Sequence, residues 1–148
     1  KASEEVVLEY MNHCNPTSFC YSWSYIKDFA FLGWAKALRR IFYTDSGELS
    51  DHVPGKPDLA SSDLIHRAVV GACGKKDPTS HVLDFIKPDN RPNCINHLLE
   101  GDHIATIKLL IEIGVPKNVN RGGTALTLAK TFGLDDIIPL LDDSQVKT

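Results

Sequence analysis

The chain has 148 residues, 43% of them hydrophobic and 24% charged, with 16 Lys and Arg against 19 Asp and Glu for a formal net charge of −3. That length can build one domain with a continuous core, and the near-balanced charge exerts no long-range pull on nucleic acid or an anionic membrane. No apolar run approaches the ~20 residues of a bilayer-crossing helix, and the opening KASEEVVLEY carries neither an initiator Met nor a signal-peptide pattern, so a fragment of something larger is expected.

Residues 2–13 read as an amphipathic helix, with Ser3 as its cap and Glu4 and Glu5 in its first turn, suited to covering the open end of a helical stack. Aromatics crowd between 19 and 31. Their alternation at Phe19, Tyr21, Trp23 and Tyr25 suggests an extended segment, either buried as a cap or exposed as a contact surface. The stretch 24–43 fits two helices joined at Gly33. Residues 44–62, rich in Gly, Pro, Ser and Asp, form a long loop. A helix from Asp63 to Cys73 and a short one at His81–Ile86 make a second unit over 62–86.

The third unit, 93–114, places Cys94, Ile95, Leu98 and Leu99 on one helix, Gly101-Asp102 at a turn, and Ile104, Ile107, Leu110 and Ile111 on the face of a second helix that Gly114 stops. The fourth, 124–141, opens at Thr124 as a cap after Gly122-Gly123, turns at Gly133, and continues with Asp135 and Asp136 in the first turn of its second helix. Pro139 falls in or just past that turn and shortens the helix. Residues 142–148 form a frayed tail. Recurrent helix pairs of this kind predict an all-α solenoid in which each unit hides its apolar flank against the next.

The third and fourth units resemble the ankyrin repeat. TALTLA at Thr124–Ala129 is similar to the family's T-P-L-H-x-A opening, and DHIATIKLLIEIG at Asp102–Gly114 to its second helix. VPKNVNRGGT corresponds to the finger that joins repeats, in a slightly shortened form. DLIHRAV at Asp63–Val69 resembles the opening again, with His66 at the motif's histidine, whereas 24–43 has Trp34 where the family often has His. The resemblance implies one domain of about four repeats behind an N-terminal capping helix, with uneven spacing between units.

Chemistry-bearing residues are scattered. Cys14, Cys20, Cys73 and Cys94 form no C-x-x-C pair, so reduced thiols, with Cys73 and Cys94 packed as apolar residues, compete with a Cys14–Cys20 disulfide. The six histidines include His13 beside Cys14 and Cys20, and His97 and His103 flanking a turn, but none has zinc-site spacing. No nucleophile elbow, Walker loop or H-E-x-x-H is present. Neither an enzyme, a metal nor a cofactor is therefore expected. Lys36, Arg39 and Arg40 beside Trp34, Phe42 and Tyr43 fit either a phosphate or acidic-peptide site or a solvated helix face whose aromatics turn inward.

The resemblance implies binding through finger tips and the outward face of each first helix. On this chain those positions are Lys87, Asp89, Asn90 and Arg91 in one connection, Lys117, Asn118, Asn120 and Arg121 in the last finger, and Arg67, Asn96, His97, Lys130 and Thr131 on first helices. Mixed polar side chains on rigid supports suit a peptide or folded-protein partner. The expected function is a non-enzymatic protein-interaction module of a cytoplasmic or nuclear protein. The alternative is a regulatory or substrate-recruiting domain of a larger enzyme or channel.

Overall fold

The computed structural model describes residues 4–12, 23–43, 63–77, 91–117 and 124–142. The regular structure there is helical: α1 (Glu4–Asn12), α2 (Trp23–Leu32), α3 (Ala35–Phe42), α4 (Leu64–Lys76), α5 (Arg91–Glu100), α6 (His103–Glu112), α7 (Ala125–Thr131) and α8 (Ile138–Leu141). Among the described residues no helix is long and apolar enough to cross a membrane. The loop expected at 44–62, the helix at 81–86 and the tail after 142 lie outside them.

Helix α4 is the hub. It packs against α2, α5, α6 and α7, while α3 packs on α1, α2 and α6. Leu64, Ile65, Ala68, Val69, Ala72 and Cys73 of α4 are buried in the core with Ile26, Ala30, Leu38, Phe42, Ile107, Leu110, Ala125 and Ala129 from its neighbours. These apolar positions span about half of α4's circumference, and Gly71 and Gly74 extend the buried surface beyond it, as a helix packed against several others requires. At ~25 cal/mol per Å2 of buried apolar surface, such contact dominates the drive to fold.

Helix ends are set by local chemistry. Asp102 caps α6, its carboxylate accepting from the Ala105 N–H at 3.0 Å, and Thr124 caps α7 by accepting from the Thr127 N–H at 3.2 Å. Trp34, at the start of α3, has no side-chain cap of its own. Glu4 supplies one from α1, accepting the Ala37 N–H at 3.0 Å, so α1 docks by completing a helix distant in sequence. Gly33 takes φ of +73° immediately after α2, Gly133 takes +66° just past the Phe132 that closes α7, and Gly114 takes +99° beyond α6. These left-handed values suit glycine and end each helix as the sequence anticipates.

Three differences from expectation stand out. Trp23 and Tyr25 are helical, because Ile26, Phe29 and Ala30 bury a face at helical spacing, so the aromatic alternation there does not mark an extended chain. Asp135 and Asp136 lie in the turn before α8, which is a single turn carrying Pro139 near its start, instead of lying inside the helix. Finally, α6 lies chiefly on α4 and α3, whereas α5 packs on α4 and α2. The physical reason is at the α5–α6 turn. The Asp102 N–H donates to Gly33 O at 2.8 Å, which pins the turn to the end of α2 and directs α6 across α4.

Candidate functional site

The C-terminal ends of α2, α4, α5 and α7 meet at one edge. A Cβ built on Gly71 of α4 would lie 1.8 Å from Phe31 O, and one on Gly101 would lie 2.0 Å from Leu32 O. The last turn of α2 therefore rests directly on the backbone of α4 and of the α5–α6 turn, a packing open only to glycine at both positions. Two lysines at the end of α4 satisfy carbonyls that the neighbouring helix ends leave over. Lys75 Nζ donates to Gly101 O at 2.6 Å, and Lys76 Nζ donates to Gly133 O at 2.7 Å.

His103, 3% exposed, fills the space between these backbones. Its Nε2 lies 2.9 Å from Phe31 O, which assigns the proton to Nε2 as the donor. Nδ1 is buried and has no hydrogen-bond partner. Burial pushes the imidazole pKa down to about 4, against the Phe31 carbonyl, which favours the charged form. His103 is thus neutral at physiological pH and serves packing. His97 on the other side of the turn sets its ring edge-on to Trp34, with centroids 5.6 Å apart, and Trp34 stacks on Phe29. The two histidines flanking the turn do not converge as ligands. Among the described residues no group of three or more His, Cys, Asp or Glu could hold a metal ion.

Beside this edge opens a cleft of about 530 Å3. Ala72, Ile104, Leu134 and Ile137 form its apolar lining, and Lys75, Lys76, Asp102, Asp135 and Asp136 its charged groups, with His103 also contributing. The α7–α8 turn forms one side, the ends of α4 and α6 the other. Asp135 and Asp136 are exposed.

The side chains expected to bind a partner fare unequally. Asn96 on α5 and Lys130 and Thr131 on α7 are exposed, as a recognition face requires. Arg67 is half-buried and its Nε donates to Asp63 at 3.1 Å, so its charge is engaged within the fold. His97 is half-buried against Trp34 and does not project outward. Lys117 is half-buried just beyond α6. Arg91 opens α5, but its side chain lies outside the described residues, as do Lys87, Asp89, Asn90, Asn118, Asn120 and Arg121.

No protein family, no curated protein and no solved structure matches the chain.

Among the described residues the other reactive groups include Cys73 and the α3 aromatics and cations; His13, Cys14 and Cys20 lie outside them, as does the side chain of Cys94. Cys73 is a buried free thiol whose pKa burial pushes up to about 12, which keeps it protonated and a poor nucleophile. On α3, Lys36 and Arg39 are exposed while Trp34 and Phe42 are buried, and the Arg39 guanidinium sits 5.2 Å from the centre of the Tyr43 ring. The Tyr43 hydroxyl donates to Glu112, tying the end of α3 to the end of α6. Desolvation and then Glu112 raise the Tyr43 pKa. The basic face of α3 is solvated with its aromatics turned inward.

Sequence reasoning placed His103 beside a turn but missed its role. The available signal was its position immediately after Gly101-Asp102, where the helix start must enter the core. Gly71 gave no signal, since a glycine inside an apolar helix declares nothing about what approaches it.

Proposed function

We propose that this chain is a non-enzymatic protein-interaction module built as an ankyrin-like array. What supports the array is the side-by-side packing of α2, α4 and α7 with their C-terminal ends at one edge. In this reading α2 pairs with α3, α4 with α6 and α7 with α8, while α5 is a helix inserted in the chain between the two members of the second pair and packed on α4 and α2. Helix α1 covers the outer side of α3 and shields the end of the stack, the role capping elements play in solenoids.

The observation that carries the interaction reading is the contrast between a tightly fixed backbone and uncommitted polar side chains on it. Asn96 and Lys130 project from helices that α4 holds in place, and nothing in the described fold uses them. Rigid supports with free polar groups keep the ordering cost of binding low. A partner of peptide or folded-protein character fits this surface, engaged by the exposed faces of α5 and α7 and by the connections at 87–91 and 117–121.

Selection of random peptides of about twelve residues on the folded chain tests this. Enriched binders are expected, with affinity falling about tenfold or more in an Arg91→Ala/Arg121→Ala double variant whose melting temperature is unchanged. Failure to enrich any binder, or a parallel fall in affinity and melting temperature, overturns the reading.

A further inference from the structure

We propose that the outer side of α3 is a docking seat for an acidic amphipathic helix of a partner protein, and that the chain's own α1 fills this seat as a displaceable stand-in. The inference rests on the interaction-module reading and adds a site that the finger-and-first-helix surface does not include.

The occupant's chemistry is read from α1 itself. Helix α1, EEVVLEYMN, carries Glu4, Glu5 and Glu9 and no cation, whereas α3, AKALRRIF, carries Lys36, Arg39 and Arg40 and no carboxylate. Trp34 gives α3 no side-chain cap, and the Ala37 N–H in its first turn donates to the Glu4 carboxylate at 3.0 Å. The positive end of the α3 dipole and the exposed Lys36 beside it favour the same sign of ligand. Glu112, a carboxylate at the opposite end of α3, is tied to the Tyr43 hydroxyl. One turn after Glu4, Leu8 shares its face of α1 and packs half-buried against the core. A carboxylate at the helix start and an apolar side chain four residues on are therefore the two marks of recognition.

Helix α1 is held loosely. It packs chiefly against α3, while α3 is also braced by α2 and α6. Glu5 and Glu9 are exposed, and Val6 is 56% exposed, so little of a large apolar side chain is committed. Among the described side chains none of α1 is fully buried, whereas each of α2 to α8 buries at least one. A nine-residue helix is marginal without tertiary support, and terminal elements with few buried contacts open at low cost. Opening α1 bares the Ala37 N–H and leaves α3 in place. A partner helix then competes with a tethered rival whose effective concentration is on the order of millimolar.

The probe is a fluorescently labelled peptide of residues 2–13, titrated by anisotropy against the full chain. It is expected to bind a Glu4→Ala/Leu8→Ala chain, whose own α1 has lost its grip, about tenfold or more tightly than the wild type. Binding falls about fivefold when the peptide carries Glu4→Ala, and falls again when the opened chain also carries Lys36→Glu. Amide exchange in the opened chain should be faster at Ala37 and unchanged at Val69 of α4. Faster exchange at both makes α1 part of the structural core and overturns the proposal. So does equal affinity for wild-type and opened chains, no binding to the opened chain, or equal binding of the Glu4→Ala peptide. A wild-type dimer that the Glu4→Ala/Leu8→Ala change dissolves, seen by light scattering, assigns the seat to a second copy and overturns the partner. If the seat fails while random-peptide selection yields binders that Arg91→Ala/Arg121→Ala weakens, the interaction module stands without it. If neither gives binding, both fall.

Discussion

The turn after α2 and the turn after α7 are built from the same parts and packed in opposite ways. Each places a glycine at positive φ after the helix and has that glycine's carbonyl bonded from a neighbouring helix end, Gly33 O by the Asp102 N–H and Gly133 O by Lys76 Nζ. At the first turn, backbone meets backbone: Phe31 O and Leu32 O lie over Gly71 and Gly101, and His103 occupies what space remains. At the second, a Cβ on Gly133 would meet only the tip of Lys76 at 3.1 Å, and a cleft opens alongside. The same local chemistry thus gives a rigid joint where helices converge and an accessible surface where the stack ends. Helix–helix approach decides which.

The largest expected effect breaks the rigid joint. Gly71→Ala places a methyl group 1.8 Å from a carbonyl oxygen of α2, and neither helix can yield without moving its whole face. Overpacking against backbone is expected to cost about 3 kcal/mol or more, lowering the melting temperature by about 10 °C. Gly133→Ala carries the left-handed strain alone, about 1 kcal/mol, because a flexible lysine end can move aside. Thermal unfolding of the two variants side by side checks the ratio. Equal losses would mean that the α2–α4 contact is looser than its geometry indicates.

Acid is the next lever, and it also acts on one side. The folded pKa of His103 is about 4, below the ordinary 6.5, so folding favours the neutral ring. Between those values the unfolded chain binds the extra proton, and stability therefore rises with pH. The contribution is complete above pH 6.5 and is lost as pH falls toward 4. Between pH 6.5 and 5 the loss is about 1.5 kcal/mol, because the slope reaches its full 1.36 kcal/mol per pH unit only once the unfolded histidine is mostly protonated. Urea denaturation across that window should show the slope in the wild type and a flattened one in His103→Gln. An undiminished slope in the variant would assign the effect to other groups.

This asymmetry explains what was legible in the sequence. Helix starts and stops are local events, so Asp102, Thr124, Gly33, Gly114 and Gly133 disclosed their parts through their neighbours in the chain. The all-α class followed from apolar spacing over 24–43, 63–73 and 93–141. Partner choice among helices was not legible. Nothing near Gly101 announces that its turn is pinned to Gly33, and nothing near Glu4 announces that it caps α3. Both depend on residues far away in sequence that meet only after the stack assembles. The same holds for the candidate surface: Lys130 and Asn96 read correctly as exposed, whereas Arg67 and His97 are engaged by Asp63 and Trp34.

Removing caps sharpens the comparison at lower cost. Asp102→Ala and Thr124→Ala each delete one side-chain acceptor for a helix N-terminus, worth about 1 kcal/mol. The two losses should surface differently. Helix α6 packs on α2, α3 and α4, so its cap contributes to global stability, whereas α7 rests on α4 and α8 on α7. Amide exchange should show Thr124→Ala accelerating residues 125–141 alone, through local opening, and Asp102→Ala lowering protection throughout. Uniform acceleration in both would erase the distinction between the two ends.

The smallest effect separates the two lysines. Each donates to a glycine carbonyl at nearly the same distance, 2.6 Å for Lys75 and 2.7 Å for Lys76, so bond length predicts equal worth. Burial predicts otherwise. Lys75 is half-buried over the joint, where losing the donor strands a shielded carbonyl, while Lys76 is exposed and water can replace it. Lys75→Met is therefore expected to cost about 1 kcal/mol and Lys76→Met a few tenths at most, the methionine keeping each apolar stem in place. A denaturation midpoint that moves equally for both would show that solvent reaches the two turns alike, and the contrast between closed joint and open groove would reduce to the glycines alone.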